Sequence, residues 1–115
     1  MEDLKNKQTT YQKIVQQLLS ERAQNKPAYG EIEVETIFDS QQHRYQIVHL
    51  GWHHKRWIHQ CVMHLDIRGG KIWILRNSTE HDLAAELVNL GVPRQDIVLG
   101  FCPPALRKLS DYAVG

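Results

Sequence analysis

The chain has 115 residues, enough for one domain and too few for two. Hydrophobic residues make up 42% and charged residues 23%, so the chain can build a real core without disulfides or metal. A formal net charge of +1 gives no overall field that would draw in nucleic acid. No apolar run reaches the ~18 residues of a membrane span. The opening MEDLKNKQTT has neither the apolar stretch nor the cleavage site of a secretory signal. Cys61 and Cys102 lie far apart and form no metal spacing, which predicts two reduced thiols in a cytoplasmic protein.

The charge is unevenly spread. Residues 31–42 hold four acids and no bases, whereas residues 43–76 hold six bases and one acid, Asp66. The middle of the chain is therefore locally basic, with an acidic segment beside it that screens part of its field.

The first segment reads as a helix. Leu4, Tyr11 and Leu18 are spaced by seven, and Ile14, Val15 and Leu19 fill the same side. Lys7, Gln8, Lys13, Gln16 and Gln17 form the solvated side. Pro27 ends the helix and pushes Lys26 toward an extended conformation, and Gly30 lets the chain turn.

Four strands follow. Ile32, Val34, Thr36 and Phe38 alternate with Glu31, Glu33, Glu35 and Ile37, the pattern of a half-buried strand, suited to a sheet edge. Ser40, Gln41 and Gln42 form a turn into a second strand over 44–52. His53, His54 and Lys55 turn the chain into a third strand, Arg56 to Ile67. Gly69-Gly70 is a two-residue hairpin signal, and Lys71 to Arg76 is the fourth strand. These make an antiparallel meander.

A second helix is expected next, capped by Ser78 or Thr79, with Glu80 and Asp82 in its first turn. Its apolar stripe is Leu83, Ala84, Leu87, Val88 and Leu90. Gly91 and Val92 fit a Schellman end, and Pro93 suits the first position of a short turn. Ile97 to Phe101 reads as a fifth strand. Pro103-Pro104 breaks regular structure, leaving an amphipathic tail. The fold class is α+β in one domain across residues 1–115: an N-terminal helix, a four-stranded antiparallel β-meander, a second helix and a short C-terminal strand.

The middle strands are apolar on both faces. On the second strand, Tyr45 and Ile47 oppose Val48, Leu50 and Trp52. On the third, simple alternation sets Trp57, Cys61, Met63, Leu65 and Ile67 against Ile58 and Val62. A solvated face alternates more cleanly to polar residues. If both helices share one face, the Trp-bearing face needs a second copy or a protein partner; one helix on each face would leave a monomer.

Candidate chemistry is thin. Five of seven histidines crowd into strands two and three with the turn between them, and His59 shares a face with Cys61 while His49 could approach across the hairpin. No zinc spacing is present, alternation sends His59 and His64 to opposite faces, and no metal or other cofactor is expected. Cys61 sits in an apolar strand as an inert thiol, and Cys102 has no base near it in sequence. Glu31, Glu33 and Glu35 read as the solvent row of a strand. Arg44, Lys55, Arg56, Arg68, Lys71 and Arg76 lie among Trp52, Trp57 and Trp73, which resembles a stacking platform for single-stranded DNA or RNA. Charge at the hairpin turns and tryptophan packing explain the same residues without a nucleic acid.

Several long segments carry a resemblance. KPAYGEIEVETIFD, YQIVHLGW, HLDIRGGKIWI and TEHDLAAELVNLGVPRQDIVLGF, followed by Pro103-Pro104, resemble the XisI family in order and spacing from Pro27 to about Val114. That resemblance implies a controlling factor for excision of a DNA element from a ferredoxin gene in cyanobacteria. It implies no enzymatic role. A XisH-like protein, usually encoded alongside, is the implied partner, and a separate recombinase carries the chemistry. Where the family pattern has Phe-His-Pro-Pro, this chain has Phe101-Cys102-Pro103-Pro104, which favours a packing or surface role for that loop. Self-association is also expected. The candidate partner-binding anchors are Trp52, Arg56, Trp57 and Phe101.

Overall fold

The computed structural model describes residues 2–28 and 30–115, with the side chains of residues 2–4 left aside. The expected contribution of Leu4 to the first helix stripe therefore falls outside the described residues. Helix α1 spans Glu2–Arg22. Its stripe is as the spacing predicts: Tyr11, Val15, Leu18 and Leu19 are buried and Ile14 packs against the same core. The strands are β1 (Glu31–Asp39), β2 (Arg44–His53), β3 (Arg56–Arg68) and β4 (Lys71–Asn77). Helix α2 (Leu83–Asn89) and a 3₁₀ turn (Arg94–Asp96) lead into β5 (Ile97–Leu99), and a single turn of helix, α3 (Pro104–Arg107), opens the tail.

The sheet runs β1-β2-β3-β4-β5 in sequence order. The first four strands are the antiparallel meander, whereas β5 joins β4 in parallel after the crossover through α2. Gly69 and Gly70 have φ of 57° and 76°, as a type I′ hairpin demands. The α2 end is a Schellman motif, with Val92 N–H donating to Leu87 O and Gly91 N–H to Val88 O, both at 3.0 Å.

The two longer helices, α1 and α2, lie on one face. Tyr11, Val15, Leu18 and Leu19 of α1 and Leu83, Ala84 and Leu87 of α2 join one core with Tyr45, Ile47, Met63, Leu65, Ile67, Ile72, Ile74 and Ile97. Two ties fasten α1 to the C-terminal half. Arg22 pairs with Glu86, and the Tyr11 hydroxyl donates to Asp96, which also binds Lys7 Nζ at 2.9 Å. Burial favours the neutral Tyr11 phenol and raises its pKa, with the Asp96 carboxylate adding to the shift. For Asp96, burial would raise the carboxyl pKa, but hydrogen bonds from Tyr11 and Lys7 outweigh it and hold the pKa low.

Several local expectations are corrected. The cap of α2 is Asp82, whose Oδ1 accepts from Ala85 N–H at 3.1 Å, not Ser78 or Thr79. Ser78 continues the β3 edge by donating to Val62 O, and Thr79 turns back onto Asn77. Leu90 is the C-cap and is 37% exposed, because the helix ends before its stripe is complete. Pro93 sits before the 3₁₀ turn, and Pro104 is the proline at a helix start. β5 stops at Leu99, so Phe101 lies beyond it, more than half exposed.

Candidate partner-binding face

Strand pairing fixes which side chains share the helix-free face. Direct cross-strand partners point the same way. Tyr45 faces Leu65 and Ile47 faces Met63, all in the helix-side core. The next pair is Val48 with Cys61, so β3 carries one extra residue, Val62, a β-bulge. Beyond it the pairs Leu50–His59 and Trp52–Trp57 fall on the face away from the helices, together with Glu31, Glu33 and Glu35 of β1.

The bulge corrects the simple alternation. Trp57, His59 and Cys61 do not share a face with Met63, Leu65 and Ile67; the extra residue switches the parity between the two groups. It also places His59 and His64 on one face, where alternation separates them. His49 pairs with Gln60 and so points to the opposite side from His59 and Cys61. Among the described residues no three metal-ligating side chains converge.

Trp52 and Trp57 are 52% and 53% exposed. Their ring centroids are 5.4 Å apart at 62°, an edge-to-face pair. With Leu50, Gly51, Gly30, Lys26, Glu31 and Glu33 they line an open groove of about 380 Å³. This is an apolar centre rimmed by carboxylates, with one lysine at its end.

The structure joins only two of the four sequence candidates. Arg56 is exposed but pairs with His53, which puts it on the helix side of the sheet, past the end of the core. Phe101 lies past β5 at the far edge, where it lines a separate cavity of about 150 Å³ with Leu83, Ala84 and Leu99. Leu50, Glu31 and Glu33 were missed as groove residues. The alternation of β1 and β2 could have found them, had the β1–β2 register been known.

The other half of the face that α1 and α2 leave open holds cations engaged with the chain itself, among them Arg107 of α3, although Arg68 and Arg76 remain exposed to solvent. Asp66 is buried at 3% exposure; its Oδ2 accepts from Arg68 at 2.7 and 3.1 Å, and its Oδ1 shares a 2.8 Å hydrogen bond with His64. Arg68 and Arg107 flank the Trp73 ring at 5.5 and 5.2 Å. Arg107 Nε donates to Cys102 O and Leu99 O, and Arg76 Nε donates to Cys61 O at 2.6 Å. These cations hold the fold together. Cys61 and Cys102 are free, half-buried thiols. Burial pushes the Cys61 thiol up, against the nearby Arg76 charge, and its Sγ donates to Met63 O at 3.2 Å. On the helix side, a cleft of about 250 Å³ takes in Arg22, His49 and His81; burial lowers the His49 pKa and favours the neutral ring.

The family model described as XisI protein matches residues 5–114. The chain belongs to the XisI family. A crystal structure of a XisI-like protein from Anabaena variabilis is 41% identical, with 94% of this chain and 99% of that one covered at a TM-score of 0.88. The structure of the fdxN element excision controlling factor XisI, from the same organism, is 29% identical. It covers 95% of this chain and 99% of its own at a TM-score of 0.82. A search of the curated proteins finds no match. The XisI-type fold thus includes the order of elements predicted from the sequence. Among the described residues no helix is long and apolar enough to cross a membrane.

Proposed function

We propose that this XisI-family chain is a non-enzymatic accessory factor that helps control excision of a DNA element, acting by binding a protein partner of the XisH-like type. Family membership and the solved excision controlling factor support the excision role. The observation that carries the binding mechanism is the Trp52–Trp57 pair, half-exposed on a sheet face that neither helix covers. Contiguous exposed apolar surface rimmed by polar groups marks interaction sites, and tryptophan is the residue most enriched among binding anchors. The alternative, direct binding of DNA or RNA, would use the basic strands. Arg68, Arg76 and Arg107 already make internal hydrogen bonds, which favours the protein partner.

The test is co-purification with a XisH-like protein, each partner tagged in turn, at low and high salt. The expected result is a stoichiometric complex that survives high salt. Trp52→Ala and Trp57→Ala should each weaken it by about 2 kcal/mol or more, while Phe101→Ala, at the far sheet edge, should not. Absence of any complex removes the mechanism. A complex indifferent to both tryptophans moves the interface elsewhere, and nucleic-acid affinity that falls steeply with salt would favour the alternative.

A further inference from the structure

Strand β3 outruns its neighbour. β4 pairs only with Met63–Arg68, and the chain turns away where Ser78 N–H donates to Val62 O at 2.9 Å. Residues 56–60 pair with β2 on one side and, among the described residues, with no strand on the other. Backbone N–H and C=O groups along that margin face solvent and form a ready template for another strand.

We infer that a second copy of the chain occupies this margin. Its own residues 56–60 run antiparallel, with Ile58 facing Ile58 across a two-fold axis normal to the sheet. Three observations select this occupant. The open margin is bounded by the His54–Lys55 turn at one end and by the Arg76 side chain on Cys61 O at the other, so full-length self-pairing has one register, centred on Ile58. In that register Arg56 meets Gln60 and Trp57 meets His59, with no formal like-charge pair at neutral pH.

The remaining edges are less suited. Self-pairing of β1 over its full length would set Glu35 against Glu35 and Glu31 against Asp39, a repulsive arrangement. β5 is three residues long, and Ala113 N–H already donates to Ile97 O at 2.8 Å. The axis keeps the helix-free faces of both copies on one side. Two Trp52–Trp57 pairs then belong to one extended surface. This inference stands apart from the partner reading, because a chain that fails to dimerise still presents both tryptophans.

The experiment is sedimentation of the intact chain from about 10 μM to about 1 mM, a range that populates weak contacts. Monomer giving way to dimer, and stopping there, is expected. Ile58→Asp and Ile58→Lys should each raise the dissociation constant by about tenfold or more, and an equimolar mixture of the two should restore the dimer, because residue 58 faces residue 58. In the unaltered protein, amide exchange within residues 56–60 should slow as concentration rises, a readout that needs no variant. A wild-type monomer throughout, a dimer insensitive to both substitutions, a mixture that stays monomeric, exchange independent of concentration, or open-ended growth past the dimer would each overturn the inference.

Discussion

Gly51 sits where β1 and β2 approach most closely, and replacing it with alanine should unfasten that end of the sheet. Its φ is +146°, a conformation that L side chains rarely adopt. A Cβ built there would stand 2.0 Å from Glu31 O and 3.0 Å from Ile32 Cα. Those are backbone atoms, so no rotamer change relieves the clash. The β1 strand must move outward by more than ~1 Å, which breaks its pairing near Glu31–Trp52 and Ile32–Gly51. Strained backbone alone costs about 1–3 kcal/mol, and a lost strand hydrogen bond adds about 1. Gly51→Ala should therefore destabilise by about 2–4 kcal/mol, in the upper range of single substitutions. Urea unfolding followed by tryptophan fluorescence measures it, with Gly69→Ala as the comparison. Gly69 has φ of +57° but nothing within 4 Å of its Cβ position, so only the backbone term of about 1–2 kcal/mol applies there. Equal losses at the two sites, or a loss below about 1 kcal/mol at Gly51, would refute the close-approach argument.

Two further outcomes follow from side-chain ties. Arg107→Ala should cost about 1–2 kcal/mol in urea unfolding, because it removes the donors to Cys102 O and Leu99 O and the cation over Trp73. Arg107→Lys should not fully restore it, since an ammonium cannot reproduce the planar fork. The folded Asp96 carboxyl has its pKa lowered, so its stabilising contribution is present above the unfolded value of about 3.9 and is lost as pH falls through the folded value. Asp96→Asn should flatten the stability profile below about pH 5, and an unchanged acid limb would reject the assignment.

Much of this fold is legible because its signals are local. Period-two alternation in β1, the Gly69-Gly70 turn and the seven-residue spacing of α1 each depend on neighbours within a few residues. The bulge at Val62 is a different kind of feature. Nothing in RWIHQCVMHLDIR marks which residue is extra, since apolar side chains stand on both sides of it. It emerges only when Tyr45 and Ile47 must align with Leu65 and Met63 under α1, while Trp52 aligns with Trp57. The same holds for the site: Trp52 and Trp57 were visible as exposed-strand candidates, but their separation from Arg56 and Phe101 depends on register and strand order. The α2 cap was missed for a simpler reason. Ser78, Thr79 and Asp82 are all good caps, but Ser78 is engaged with Val62 O and Thr79 with Asn77, which leaves Asp82 to cap the helix.

The two ties of α1 carry a consequence for how the chain is born. β1 to β4 each pair with the strand next in sequence, so the hairpins can close as they appear. Arg22 and Tyr11 instead wait for partners 64 and 85 residues later. During synthesis, therefore, the first element made is among the last to be secured. Its apolar stripe depends on an unfinished sheet until Asp96 has left the ribosome, and that interval is when a nascent chain of this shape is most open to chaperones.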